Sequence, residues 1–138
     1  MARKCAVLCA FFLLLAAPAN SLAEHEVFYR YTVLGYVKDG HGKQRTGVDV
    51  ELVREKTGFS YLGETDASGF YVIVARLGDE SAGERLRLRS GGQSITITTR
   101  FDPADHLRER GTRVDFVGSR GVETAADFAP TLQRFLAQ

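Results

Sequence analysis

The stretch Thr65–Val74, TDASGFYVIV, changes from small polar residues to an apolar run at a single glycine. Asp66 is of a type that closes a turn with its own carboxylate, and Gly69 can adopt the left-handed conformation that most residues avoid. The run from Phe70 onward has the β-branched and aromatic composition of a strand. The stretch therefore predicts a turn that delivers aromatic side chains into the core of a β-sheet.

Alternating apolar and polar residues recur through most of the chain. In VDVELVR the apolar Val48, Val50 and Leu52 alternate with acidic residues, as in a strand with one buried face and one wet face. Two further alternating runs, RLRLRS and SITITTR, flank a pair of glycines that suits a tight hairpin. We predict an all-β fold, a Greek-key-type β-sandwich of about seven strands, over residues 24–118.

The final segment, residues 119–138, has the composition of a short helical tail with an apolar side. The strand after Gly69 is apolar on both faces, which is unusual for a sandwich strand with water behind it. Either the C-terminal helix or a second chain could cover the second face. We predict an interface at Phe70, Val72 and Val74. The helical residues that would provide cover are Phe128, Leu132, Phe135 and Leu136.

The N-terminal segment, residues 1–23, has the layout of a secretory signal peptide. Arg3 and Lys4 precede an apolar run from Ala6 to Ala19, and small residues lead to Ala23. A membrane anchor is the alternative, but the apolar run is shorter than the roughly 20 residues that a spanning helix needs. We predict cleavage after Ala23, a periplasmic or secreted location, and no membrane span in the mature form.

Charge and cysteine content limit the function classes. The chain has 18 Lys and Arg residues against 17 Asp and Glu residues, so it has no strong field for nucleic acid, and we expect no such partner. Both cysteines, Cys5 and Cys9, lie in the predicted signal peptide, so the mature chain would have no disulfide and no thiol ligand. The abundance of arginine and alanine favours a bacterial protein.

Three short glycine-containing elements occur in order between Gly35 and Tyr71. They read G-x-V-x-D-x-x-G, G-V-x-V-x-L and T-D-x-x-G-x-Y, with fixed positions at Gly35, Val37, Asp39, Gly42, Gly47, Val48, Val50, Leu52, Thr65, Asp66, Gly69 and Tyr71. In this order they resemble the carboxypeptidase regulatory-like domain, a transthyretin-like (prealbumin-like) β-sandwich, over residues 33–99. The chain departs from the family pattern at Gln44 and Arg45, where proline and an apolar residue are usual. The resemblance implies a non-catalytic module that contacts partners or assists folding.

No catalytic or metal-binding constellation is complete in the sequence. His106 and Glu109 have the spacing of a zinc pair, but no later histidine supplies a third ligand. The chain lacks a G-x-S-x-G elbow, and it lacks the tyrosine-arginine-glycine-serine tail of transthyretin-like hydroxyisourate hydrolases. Intradiol dioxygenases hold iron with two tyrosines and two histidines, and the histidines here form no close pair. The acids Asp79, Glu80 and Glu84 could hold calcium weakly but match no calcium loop. We predict no enzymatic activity, no metal and no cofactor.

Arginines with period-two spacing are the best candidates for a binding surface. Arg85, Arg87 and Arg89 should share the outer face of one strand, and Arg100 should join them from the partner strand, beside serine and threonine hydroxyls. Such a face could bind carboxylates, phosphates or sugars, although exposed arginines also protect a sheet edge.

We therefore predict an exported, non-catalytic binding or scaffolding domain. Its partner would be another periplasmic or cell-envelope protein, or an anionic or sugar ligand. The alternative is a small enzyme of the transthyretin-like fold, either a hydrolase or a metal-dependent oxygenase.

Overall fold

The computed structural model describes residues 27–138, so the predicted signal peptide and its cleavage after Ala23 lie outside the described residues. In this part of the chain eight strands precede one α-helix. The strands are β1 (Tyr31–Lys38), β2 (Asp49–Arg54), β3 (Ser60–Glu64), β4 (Phe70–Ala75), β5 (Arg85–Ser90), β6 (Gln93–Thr98), β7 (Gly111–Val117) and β8 (Arg120–Glu123), and the helix is α1 (Phe128–Leu136). No helix within residues 27–138 has the length and apolar character needed to cross a membrane.

The strands form two four-stranded sheets, with the orders β4-β1-β7-β8 and β3-β2-β5-β6. Neighbouring strands are antiparallel except for β1 and β7, which run parallel with Thr32 opposite Gly111. The predicted all-β sandwich with a short C-terminal helix is confirmed. The described chain has one strand more than predicted, because β8 folds back on β7 and extends the first sheet into residues 119–138.

The core lies between the two sheets and follows the period-two pattern of the sequence. Side chains that point inward from both sheets are almost fully buried, whereas the alternate residues of β5 and β6 face outward. Burial of this kind stabilises the fold by roughly 1.5–3 kcal/mol for each large apolar side chain. The inward set includes Val33, Val37, Val50, Leu52, Tyr71, Ile73, Leu86, Leu88, Val114 and Phe116.

The turn between β3 and β4 forms as the sequence predicts. The Asp66 carboxylate accepts hydrogen bonds from the backbone N–H groups of Ser68 and Phe70, at 2.8 and 3.0 Å. Gly69 has a φ of +76°, and a Cβ atom there would lie 2.8 Å from the carbonyl oxygen of Val37. The glycine is therefore required both for the left-handed conformation and for the close approach of β1.

The three sequence elements that suggested the family resemblance meet at one end of the sandwich. The backbone N–H of Val37 donates to the Gly69 carbonyl at 2.8 Å, and the N–H of Arg45 donates to the Val37 carbonyl at 2.9 Å. The Thr65 hydroxyl donates to the Arg45 carbonyl at 2.6 Å and accepts from the N–H of Val48 at 2.9 Å. These contacts explain why the elements contain glycine and threonine at fixed positions.

Helix α1 packs on the second apolar face of β4. Phe128 and Leu132 of the helix form a buried cluster with Leu34 and Phe70. The Phe135 ring lies 5.5 Å from the Phe70 ring, measured between centroids. Of the two covers considered from the sequence, the C-terminal helix thus buries Phe70 and part of Val72, and it leaves Val74 exposed.

Candidate functional site

The outer side of β2, β5 and β6 is an exposed polar surface, which we call the arginine face. Its central row is Arg85, Arg87 and Arg89, whose side chains are 66, 51 and 51% exposed. The sheet register places Arg89 between Glu51 and Ser94, and it places Arg87 between Val53 and Thr96. The face is defined by Glu51, Glu55, Arg85, Arg87, Arg89, Ser94 and Thr96.

Carboxylates on the neighbouring strand compensate the positive charge of the arginine face. Glu55 lies 3.5 Å from Arg85 and 3.2 Å from Arg87, and Glu51 pairs with Arg89. Exposed ion pairs of this kind contribute only about 0–1 kcal/mol each to stability. The face therefore presents alternating hydrogen-bond donors and acceptors, and its positive charges are compensated by carboxylates.

A hollow of about 380 Å³ lies at one end of the arginine face, against the edge strand β3. Leu62 borders it and is 76% exposed, directly opposite Glu51 in the register of β2 and β3. Arg89 lines the other side of the hollow. Arginine is one of the residues enriched at the energetic centres of protein interfaces.

Arg100 does not join the other predicted arginines. Strand β6 ends at Thr98, and Thr99 is hydrogen-bonded to the loop that precedes β5. The Thr99 hydroxyl accepts from the N–H of Glu84 at 2.9 Å and donates to the Ser81 carbonyl at 2.5 Å. Three of the four predicted arginines thus share one face, and Arg100 lies beside a separate cleft.

This cleft, which we call the arginine cleft, has a volume of about 180 Å³ and lies in the loop between β6 and β7. Its lining combines basic and acidic side chains with one aromatic ring. The lining residues are Arg100, Phe101, Asp102, Asp105, Arg108, Glu109, Arg110 and Gly111.

Arg110 forms one wall of the arginine cleft and has a side chain that is only 2% exposed. It donates to the carbonyl oxygens of Phe28 and Asp105, each at 3.1 Å, and to the Asp79 carboxylate at 2.8 Å. Its guanidinium carbon lies 4.1 Å from the centre of the Phe101 ring. Arg110 was not predicted as a site residue, because nothing in the sequence distinguishes it from an exposed loop arginine.

Two of the three acidic residues that suggested a weak calcium site, Asp79 and Glu84, have arginine partners, and Glu80 is exposed. The pKa of Asp79 is lowered, first by the hydrogen bond from Arg110 and then by His106, whose Nε2 lies 2.8 Å from the carboxylate. Glu84 accepts two hydrogen bonds from Arg54, at 2.6 and 2.9 Å, which lower its pKa. Within residues 27–138 no group of three histidine, cysteine, aspartate or glutamate side chains is arranged to hold a metal ion.

The two residues with zinc-pair spacing have different partners. His106 stacks on Phe28 with ring centroids 4.4 Å apart and contacts Asp79, whereas Glu109 pairs with Arg30. The Glu109 carboxylate accepts from the Arg30 Nε at 3.1 Å. The two residues thus contact different partners, Asp79 and Arg30, and both contacts tie the loop between β6 and β7 to other parts of the chain.

The predicted interface on β4 is divided between buried and exposed residues. Phe70 is buried beneath α1, Val72 is half-buried, and Val74 is 49% exposed. Val72 and Val74 line a groove of about 360 Å³ between β4 and the helix, with Phe135 and Leu136 on the other side. The interface remains a prediction for the two valines, while Phe70 is inaccessible to a partner in this structure.

No family model matches the chain, and no curated protein matches it. Among solved structures it is similar to the dioxygenase domain of a dioxygenase carbohydrate-binding protein fusion from Streptomyces sp. SirexAA-E. The identity is 20% over 64% of this chain and 79% of that chain, with a TM-score of 0.43. It is also similar to chlorocatechol 1,2-dioxygenase from Pseudomonas putida, at 13% identity over 70% of this chain and 63% of that chain, with a TM-score of 0.43.

Both of these solved structures are dioxygenases, so the prediction that the protein has no enzymatic activity is contradicted, and we withdraw it. At 13 and 20% identity the likeness transfers neither a substrate nor any functional residue to this chain.

Proposed function

We propose that the protein is an exported binding domain of the carboxypeptidase regulatory-like kind, which contacts another cell-envelope protein through the arginine face. The observation that carries this proposal is the ordered row of Arg85, Arg87 and Arg89 on an exposed sheet face, beside the hollow at Leu62. The family assignment is supported by the meeting of its three sequence elements around Gly69 and Thr65. Export is supported by the signal-peptide layout of residues 1–23.

The paired charges of the arginine face favour a protein partner over a simple polyanion. Each arginine of the row already has Glu51 or Glu55 beside it, so a polyanion would have to compete with these carboxylates. A protein surface can supply both acids and bases in register, and it can fill the hollow at Leu62 with an apolar side chain. A small anionic ligand or a sugar that binds the same face is the less favoured alternative.

Cross-linking of the exported protein in an envelope extract, followed by mass spectrometry, tests the proposal. We expect the double variant Arg87→Glu with Arg89→Glu to lose the partner that the unaltered protein captures. Arg120→Glu, an exposed arginine at the start of β8, is the matched control and should keep it. If the double variant captures the same partners at the same yield, the arginine face is not the contact surface.

The second candidate function is an enzyme of the same sandwich class, either a hydrolase or a metal-dependent oxygenase. The two similar solved structures, a dioxygenase domain and a chlorocatechol dioxygenase, fit this candidate better than they fit a binding domain. Metal analysis of the purified protein and measurement of oxygen uptake with catechol and chlorocatechol test it. Stoichiometric iron together with oxygen uptake would establish it, and the absence of uptake in the iron-loaded protein would reject the oxygenase.

A further inference from the structure

The wall of the arginine cleft that Arg110 forms is fixed by several contacts. Arg110 is held by the Phe28 and Asp105 carbonyls and by Asp79, and it stacks on Phe101. Its Nε–H is buried and has no acceptor among residues 27–138. Buried donors in native proteins nearly always have an acceptor, so this N–H can take an oxygen from outside the described residues. The donor set thus points to a ligand that carries acceptor oxygens.

The rim of the cleft has two guanidinium groups that are far less constrained. Arg108 has an 87% exposed side chain, and its nearest carboxylate, that of Asp105, lies 3.7 Å away. Arg100 is exposed, and its backbone N–H donates to the Tyr31 hydroxyl, which anchors its main chain at the edge of the core. The two exposed guanidinium groups of the rim, together with the fixed Arg110, can donate to a planar anion that enters the cleft.

The acids of the cleft are committed to other contacts. Asp102 accepts from the N–H of Ala104 at 2.9 Å, and Asp105 accepts from the N–H of Leu107 at 3.0 Å. Glu109 is paired with Arg30. These contacts engage the three carboxylates, whereas the guanidinium groups of the rim are exposed and can donate to an anion.

We propose that the arginine cleft binds a small organic carboxylate, with Arg100 and Arg108 as its ligand contacts and Arg110 as the fixed positive wall. The volume of about 180 Å³ is below that of pockets for drug-sized ligands and suits a molecule of a few carbon atoms. The cleft and the hollow on the arginine face share no lining residue. The proposal of a carboxylate site therefore does not depend on the proposal of a protein partner.

Titration of the ¹⁵N-labelled protein with sodium succinate, followed by NMR, tests the site. We expect saturable shifts of the backbone signals of Phe101 and Gly111, together with a shift of the Arg110 Nε–H signal. Succinamide has the same shape without charge and should leave these signals unchanged. Arg100→Gln and Arg108→Gln should each weaken succinate binding roughly ten-fold or more, because each removes a charged hydrogen bond. The control variant Arg120→Gln should bind succinate like the unaltered protein.

Several results would overturn the carboxylate site. Unchanged signals at molar excess of succinate would reject it, and so would equal shifts with succinamide. Tighter binding of inorganic phosphate than of succinate would reject the proposed ligand class. If both rim variants keep their fold by circular dichroism and bind succinate with unaltered affinity, Arg100 and Arg108 are not its contacts.

Discussion

The Tyr71 hydroxyl donates a hydrogen bond of 2.6 Å to the backbone carbonyl oxygen of Val114. Tyr71 lies in β4 and Val114 in β7, with β1 between them, and the residue of β1 opposite Tyr71 is Gly35. Because Gly35 has no side chain, the tyrosine can reach across the central strand. Burial raises the pKa of Tyr71 well above its usual value, so this hydroxyl stays protonated and continues to donate.

Replacing Gly35 by alanine is expected to be severely destabilising. A Cβ atom at this position would lie 1.8 Å from the Val114 carbonyl oxygen, which is backbone and cannot move aside without separating β1 from β7. We expect Gly35→Ala to lower the free energy of unfolding by more than about 3 kcal/mol, measured by urea denaturation. Gly40→Ala is the matched control, since no atom lies within 4 Å of its Cβ position. Equal stability of the two variants would contradict the close approach of β1 and β7.

Tyr71→Phe removes the donor and leaves the ring in place. The Val114 carbonyl then loses its buried partner, which costs about 1–3 kcal/mol. Urea denaturation of this variant should show the loss, whereas Tyr29→Phe, at a residue that is 42% exposed, should change stability by less than about 0.5 kcal/mol. An unchanged free energy of unfolding in Tyr71→Phe would show that the hydrogen bond makes no net contribution to stability.

Alkaline pH should destabilise the protein through Tyr31. Burial, with a smaller effect of Glu123, raises the pKa of Tyr31 to about 12 in the folded chain, whereas an unfolded tyrosine ionises near 10. The folded state therefore holds this proton more tightly, and its stabilising effect is lost as pH rises from about 10 through 12. Stability of Tyr31→Phe should fall less over this range. Full ionisation of all tyrosines near pH 10, followed by absorbance at 295 nm, would contradict the raised pKa.

Acidic pH should destabilise the protein through Glu84. The hydrogen bonds from Arg54 hold the pKa of Glu84 below its ordinary value, so the stabilising effect is present above about pH 4.5 and is lost as pH falls through the folded pKa. Glu84→Gln should cost about 1–3 kcal/mol at pH 7 and should flatten the decline in acid. Glu80→Gln, at an exposed neighbouring acid, should do neither. An acid profile unchanged by Glu84→Gln would assign the decline to other carboxylates.

Two single substitutions to alanine test how much the packing of α1 on β4 contributes to stability. Phe128 is 5% exposed and Phe135 is 38% exposed, although both lie on the apolar side of the helix. We expect Phe128→Ala to lose about 3 kcal/mol or more by thermal denaturation, and Phe135→Ala to lose clearly less. Equal and small losses would mean that the helix adds little to the stability of the sandwich.

Most of the sandwich could be predicted from the sequence, because alternation and turn chemistry act over a few residues. The Asp66 turn and the glycines around RLRLRS and SITITTR are local signals of this kind. Strand β8 could not be found, since Arg120–Glu123 is too short to show a pattern and exists by pairing with β7. The place of Arg100 also depends on a distant contact, in which Thr99 is held by Ser81 and Glu84.

The arginine cleft could not be foreseen for the same reason. Its fixed wall is created by residues far apart in the chain, with Phe28, Asp79 and Asp105 converging on Arg110. A single sequence shows the arginine but not its burial. The arginine row, in contrast, follows directly from the period of one strand, and three of its members lie together in the structure.

The parallel pairing of Thr32 with Gly111 sets the order in which a nascent chain can complete its first sheet. Strand β1 ends at Lys38, yet β7, one of its two neighbours, begins only at Gly111. Such long-range pairing slows folding, because the chain between the two strands has to be brought to closure before the contact forms. The first sheet therefore cannot close until β7 has been made, and this pairing sets the pace at which the sandwich forms.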